Sequence, residues 1–66
     1  MKITINGQTK EILTTPHLAA LVGSYCKNPQ HIMAELNGHI IASAQWTNTP
    51  LKDGDTIELV GFVGGG

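Results

Sequence analysis

Residues 32–41 read Ile-Met-Ala-Glu-Leu-Asn-Gly-His-Ile-Ile and contain the clearest structural signal in the chain. Apolar residues recur at every second position from Ile32 to Leu36, which is the period of a strand with one buried face. Asn37-Gly38 suits the positive φ angles of a type I′ turn, and Ile40-Ile41 begins a returning arm. These features predict a β-hairpin.

A second Asn-Gly pair, Asn6-Gly7, predicts another hairpin over residues 2–13. Its first arm alternates clearly, with Ile3 and Ile5 at every second position. Its second arm alternates weakly, so we assign it as a strand mainly because the turn before it requires a pairing partner.

One short amphipathic helix is predicted between the hairpins. The apolar residues at helical spacing are Leu18, Leu21, Val22 and Tyr25. Thr15 is expected to cap the helix, with Pro16 as its first residue, because proline there loses no hydrogen bond. Asn28-Pro29 is expected to stop it. Gly23 costs about 1 kcal/mol relative to alanine unless it allows a close backbone approach.

The rest of the chain leads to a final strand. Ser43 to Pro50 has no strand pattern, but Trp46 is too large an apolar surface to leave in water, so we expect it to pack under this connection. Lys52 to Asp55 is typical of a tight polar turn, and residues 56–60 form the last strand. The element order predicts an α+β domain, in which one main helix covers a mixed sheet of four to five strands.

Composition limits the classes of function. The chain has 66 residues, a net charge of -1 and only 14% charged residues. This length allows one small domain without a deep catalytic cleft, which is not typical of an enzyme. The charge predicts neither a nucleic-acid partner nor an anionic membrane surface. We found no leader and no apolar segment of membrane-spanning length, so we expect a soluble, cytoplasmic protein.

Several side chains are of types that can take part in catalysis or metal binding, but they fit structural roles better. Cys26 is the single cysteine, and free cysteine is more often a buried structural thiol than a persulfide carrier, by roughly three to one. His17, His31 and His39 lack metal-ligand spacing, so we predict no metal site. The pair Asp53/Asp55 lacks the remaining ligands of a calcium loop and is read as turn-forming.

The facing pattern of the last strand predicts a docking patch. If Ile57 and Leu59 face the helix, Val60 and Phe62 lie on the opposite face, where Met33 of a neighbouring strand could join them. We predict that Val60, Phe62 and Met33 bind a partner protein. The alternative is nearly as strong: a bulge at Gly61 resets the alternation and buries Phe62.

The chain ends in three glycines, Gly64-Gly65-Gly66, called the glycine tail below. Without any Cβ, the tail can thread a narrow channel and present its carboxylate to another protein's active site, reaching roughly 10 Å beyond the folded body. The alternative is a frayed terminus or the stub of a linker, and the tail alone does not separate the two.

Four segments together resemble the ThiS family of sulfur carriers in thiamin biosynthesis. They are residues 34–41, Trp46, residues 51–58 and residues 62–66. The resemblance covers nearly the whole chain and decides against a linker stub. It implies a β-grasp, ubiquitin-like fold, with a domain over residues 1–63 and a flexible tail over residues 64–66.

The resemblance also implies a function. A ThiF-like adenylyltransferase would use ATP to adenylate the Gly66 carboxylate, and sulfur from a cysteine desulfurase or another donor would convert it to a thiocarboxylate. A ThiG-like thiazole synthase would accept that sulfur. The chain would be a protein co-substrate that binds no cofactor itself and is a monomer when free, with Gly64 and Gly65 giving access to the partner's channel.

Three alternatives stay open. The related MoaD carriers of molybdopterin synthesis share the fold and the terminal glycine pair, although Val60-Gly61-Phe62-Val63 favours ThiS. The chain could also be a noncatalytic ubiquitin-like binding module. Finally, it could be a conjugating modifier whose Gly66 joins a lysine, since activation is shared up to the acyl-adenylate.

Overall fold

The computed structural model describes residues 1–13, 16–26 and 31–61. The strands are β1 (Lys2–Ile5), β2 (Gln8–Glu11), β3 (Ile32–Leu36), β4 (His39–Ile41) and β5 (Thr56–Gly61). The helices of this part are α1 (Leu18–Tyr25) and a 3₁₀ helix (Ser43–Asn48).

The five strands form one mixed sheet in the order β2-β1-β5-β3-β4. β1 and β5 are parallel, and the other neighbouring pairs are antiparallel. The last strand in sequence is therefore the central strand, and it joins the two hairpins into a single sheet. The predicted α+β architecture is confirmed, at the upper end of the predicted strand number.

Both predicted hairpins are confirmed, and their turns have the expected backbone. Asn6 and Gly7 have φ angles of 50° and 82°, and Asn37 and Gly38 have φ angles of 52° and 86°. Two consecutive positive φ angles match the right-handed twist of the flanking strands, and asparagine and glycine tolerate them best.

The two turn asparagines also fasten β5 from both sides. Asn6 Oδ1 accepts a hydrogen bond from the Leu59 amide at 2.8 Å, and Asn37 Oδ1 accepts one from the Thr56 amide at 2.9 Å. Each side chain therefore continues a ladder of backbone hydrogen bonds past the end of its strand. The central strand is held along its length by this arrangement.

The core lies between α1 and one face of the sheet. Its buried apolar members are Ile3, Ile5, Leu18, Leu21, Val22, Ala34, Trp46, Leu51 and Ile57. Trp46 is buried as predicted, within the 3₁₀ helix, and its Nε1 donates to the Ile41 carbonyl at 2.9 Å. The ring is thus packed while its one polar atom is satisfied.

The predicted start of the helix is wrong. The helix begins at Leu18, two residues after Pro16, and His17 between them is in extended backbone that forms an antiparallel bridge with Pro50. The Pro16 carbonyl accepts from the Leu51 amide at 3.1 Å, and the Leu18 amide donates to the Thr49 carbonyl at 2.8 Å. A distant segment satisfies the first helical amide, a pairing that local capping rules do not contain. Thr15, the predicted cap, lies outside the described residues.

One residue at the end of the helix differs from its expected position. Tyr25, expected on the buried side, is the last helical residue and is 47% exposed. Cys26 follows in extended backbone and packs against the core in its place. The expected stop, Asn28-Pro29, lies outside the described residues.

The turn before β5 is built by two aspartates, as predicted. Asp53 Oδ1 accepts from the Lys2 amide at 2.6 Å, and Asp55 Oδ2 accepts from the Lys52 amide at 2.7 Å. Gly54 adopts a φ of 89°, and its amide donates to the Lys2 carbonyl at 2.7 Å. This turn therefore connects the start of β5 to the start of β1, which aligns the two strands in parallel.

Candidate functional site

The two faces of β5 differ as the sequence predicts. Ile57 is fully buried against α1, and Leu59 is half-buried on the same side. Val60 has the opposite parity and is 50% exposed. We call the side of the sheet turned away from α1 the outer face.

Met33 and Val60 meet on the outer face. They are register partners in the antiparallel pair of β3 and β5, and Met33 is 37% exposed. Directly opposed residues of an antiparallel pair have Cβ atoms about 4.5–5.5 Å apart, which puts the two side chains within reach of each other. The structure thus brings together two of the three predicted patch residues. Phe62, the third, lies outside the described residues.

The register also bears on the bulge considered at Gly61. From Leu36 opposite Ile57 to Ile32 opposite Gly61, each step along β5 is matched by one step along β3. A bulge would insert an extra residue on one strand. Along the described part of β5 the alternation is not reset, so Val60 keeps its outward position.

Sequence reasoning missed three further residues of the outer face. Glu35 and Glu58 are register partners, and Ile40 of β4 lies opposite Glu35 on its other side. Ile40 is 63% exposed. Strand parity placed each residue on a face, but only the register between β3 and β5 could show that the two glutamates are neighbours.

The predicted reactive group lies beyond β5. Gly64, Gly65 and Gly66 belong to residues 62–66, which are outside the described part of the chain and directly follow β5 in sequence. Their attachment point, at Gly61, is in the central strand of the sheet.

Elsewhere the described residues offer little reactive chemistry. Cys26 is a free thiol, half-buried at the end of α1 and packed against the core. Residues 1–13, 16–26 and 31–61 contain no group of three potential metal ligands and form no pocket. Neither described helix has the length and apolar character needed to cross a membrane.

Solved structures resemble this fold closely. The crystal structure of a thiamine biosynthesis protein (ThiS) from Geobacter metallireducens superposes with a TM-score of 0.86 at 28% identity, covering all of both chains. The solution structure of a thiamine biosynthesis protein from the same organism gives a TM-score of 0.82 at 28% identity, covering all of this chain and 88% of the other.

A sequence relative and a family profile complete the comparison. A thiazole synthase from Paramagnetospirillum magneticum is 30% identical over 66 residues. That match includes the whole of this chain but only 20% of the relative, so the chain spans about a fifth of the relative's length. The profile of the ThiS family matches residues 3–66, which is nearly the whole sequence, and the chain therefore belongs to the ThiS family.

Proposed function

We propose that this protein is a sulfur carrier for the thiazole moiety of thiamin and that the Gly66 carboxylate carries the sulfur. One observation supports this most directly: the ThiS family match runs to residue 66 and so includes the glycine tail. The similarity to thiamine biosynthesis structures agrees with this assignment.

The chemistry needs an activating enzyme, because a carboxylate anion resists nucleophilic attack. A carboxylate oxygen attacks the α-phosphate of ATP, pyrophosphate leaves, and Gly66 becomes an acyl-adenylate. Sulfide then attacks the carbonyl carbon, AMP leaves with the oxygen, and a thiocarboxylate remains. If the donor is a desulfurase persulfide, the acyl disulfide first formed requires a thiol to cleave its S–S bond. The ATP site belongs to the ThiF-like adenylyltransferase in this proposal.

In this proposal the carrier supplies the Gly66 carboxylate at the end of a segment that follows a well-anchored strand. Residues 62–66 would span roughly 17 Å if extended, at about 3.3–3.6 Å per residue. They start from a strand that is hydrogen-bonded on both sides and fastened by Asn6 and Asn37. Gly64 and Gly65 add no side chain to what a partner's channel must admit.

The outer face supplies docking area on the strand that leads to the tail in sequence. Met33 and Val60 are exposed register partners, and Val60 is separated from the tail by only a few residues. Exposed apolar side chains next to a reactive terminus suit a surface that holds the adenylyltransferase while the tail enters it. In this proposal Phe62 is the third member of the patch.

Delivery to a ThiG-like thiazole synthase is supported by the Paramagnetospirillum magneticum relative. That protein bears the name thiazole synthase, and a fifth of its length resembles this whole chain. A carrier-like segment within a thiazole synthase chain would keep sulfur donor and acceptor together.

The test is intact mass spectrometry after incubation with a ThiF-like adenylyltransferase, ATP and sulfide. We expect an oxygen-to-sulfur mass gain that maps to Gly66 and persists in Cys26→Ser. A gain that disappears in Cys26→Ser would assign the sulfur to the thiol instead. Absence of any gain, with an enzyme active on its own carrier, would refute the proposal. Sulfur transfer from the thiocarboxylate form to thiazole synthase, but not to molybdopterin synthase, would then assign the protein to the thiazole pathway.

A further inference from the structure

Glu35 and Glu58 form an unfavourable pair on the outer face of the sheet. They lie directly opposite each other in the antiparallel pair of β3 and β5. Their Cβ atoms are therefore about 4.5–5.5 Å apart, and like charges in this position destabilise a sheet. The pair joins the central strand of the sheet to its neighbour β3.

The described part of the chain does not neutralise the pair. The ion pair recorded there joins the Met1 amino group to Glu11 at 3.2 Å, and none reaches Glu35 or Glu58. The sequence contains lysines but no arginine. A local rule that is broken without compensation among the described residues is typical of a functional surface.

Exposed apolar side chains border the two carboxylates on two sides. Ile40 lies beside Glu35 in the same row across the strands, while Met33 and Val60 form the next row on the same face. Rows on one face are two residues apart, which is about 6.6–6.8 Å along a strand. We call Met33, Glu35, Ile40, Glu58 and Val60 together the acidic-apolar face.

We propose that the acidic-apolar face binds an arginine, set in an apolar surface, of the enzyme that adenylates the tail. This inference rests on the proposed function and specifies the chemistry of its partner. A guanidinium carries five donors in a planar fork and can bridge two adjacent carboxylates. Its aliphatic stem and the surface around it would cover Met33 and Val60.

Charge and position favour this occupant over others. A second copy of the chain would bring two acidic pairs together, and an anionic lipid or nucleic acid would be repelled. Glu58 and Val60 of this face are on β5, the strand that continues in sequence to Gly66. A protein that receives the tail therefore binds close to this strand. The adenylyltransferase is the protein that binds the carrier before it bears sulfur.

The proposal has an energetic signature that a structural role does not share. In the free carrier the two charges repel, so neutralising either one should stabilise the domain. In the complex the same change removes a bond to arginine, so it should weaken binding. A structural pair would give the opposite sign for stability and no effect on affinity.

The experiment compares Glu35→Gln, Glu58→Gln and the double variant with Glu11→Gln. Glu11 is an exposed glutamate on β2, two strands away from β5, so its variant matches the loss of one negative charge. For each protein we would measure the midpoint of thermal unfolding and the affinity for a purified ThiF-like adenylyltransferase across a salt series.

We expect both single variants to unfold at a higher temperature than wild type and to bind the adenylyltransferase about three- to tenfold more weakly at low salt. The loss should shrink as salt rises, since screening weakens the wild-type contact. Glu11→Gln should bind like wild type. The double variant should lose more than either single variant, because it leaves the arginine without either carboxylate.

Unchanged affinity in all three variants would overturn the proposal, as would an equal loss in Glu11→Gln. Weaker binding to thiazole synthase alone would overturn the assignment of the partner. Thiocarboxylate formation on the wild-type chain is measured in parallel. If it occurs while the variants bind normally, the face proposal fails and the sulfur-carrier function stands. If an active adenylyltransferase forms no thiocarboxylate on wild type, the proposed function itself fails and this inference fails with it.

Discussion

Asn6 and Asn37 occupy equivalent turn positions but use their side chains differently. Both have positive φ angles and both accept a backbone hydrogen bond from β5. Asn37 Nδ2 additionally donates to Oδ1 of the buried Asp55 at 3.0 Å. An aspartate could accept the same hydrogen bond at either position, but an ionised aspartate has no N–H with which to donate to the Asp55 carboxylate.

Asn37→Asp should therefore destabilise the domain by about 2 kcal/mol, because it removes that donor and places two carboxylates in contact. Asn6→Asp is the matched control and should cost less than about 1 kcal/mol, since its acceptor is kept. Urea unfolding of both variants tests the difference. Equal losses would mean that the bond to Asp55 contributes nothing.

At the scale of elements, α1 depends on its surroundings for stability. It has eight residues, and its N-cap His17 makes no side-chain capping bond. An isolated helix of this length is marginal, so its stability comes from the packing of Leu18, Leu21 and Val22 and from the Leu18–Thr49 hydrogen bond. Gly23 lies in this helix, and among the described residues no atom outside its chain neighbours and the backbone of the helix itself comes within 4 Å of the position a Cβ would take.

The close backbone approach that would justify Gly23 is thus absent from the described structure, and Gly23→Ala should stabilise the protein by about 1 kcal/mol. Gly38→Ala is the contrasting variant. Its Cβ would also meet open space, but its φ of 86° disfavours a side chain, and it should destabilise by about 1 kcal/mol or more. Chemical denaturation of the pair separates backbone conformation from packing, and a destabilised Gly23→Ala would contradict the first expectation.

At the scale of the whole molecule, folding and function are expected to separate along β5. Ile57 is fully buried and belongs to the core, whereas Val60 is half-exposed on the outer face. Val60→Thr keeps the branched shape and should change the free energy of unfolding by no more than about 0.5 kcal/mol. It should weaken adenylyltransferase binding by about threefold or more. Ile57→Ala, by contrast, should cost about 2–5 kcal/mol of stability. A Val60→Thr variant that binds normally would remove Val60 from the docking patch.

The glycine tail gives the corresponding prediction for chemistry. Gly65→Ala adds a side chain where a partner's channel is proposed to admit only backbone, so it should reduce the rate of thiocarboxylate formation by about tenfold or more. Its thermal unfolding should match that of wild type. The rate of thiocarboxylate formation is followed by intact mass spectrometry. Gly23→Ala, the same substitution outside the tail, is the control. A wild-type rate of thiocarboxylate formation in Gly65→Ala would refute the steric role of the tail.

The sequence alone determined the local elements and the family. Asn-Gly pairs specify their turns because few residues accept two consecutive positive φ angles, and strict alternation specifies which side of a strand is buried. The parity of Ile57 and Val60 therefore predicted the outward position of Val60 correctly. The glycine tail and the spacing of residues 34–41 and 51–58 carry the resemblance to the ThiS family without any reference to the fold.

Only the tertiary structure decided what depends on contacts between distant segments. The helix starts at Leu18 because residues 49–51 satisfy the backbone before it, and such long-range bonds leave no local signal. The placement of β5 between the hairpins fixes which residues of β3 it opposes. Register is a relation between two strands, so the meeting of Glu35 with Glu58, and of Met33 with Val60, could be read only from their pairing.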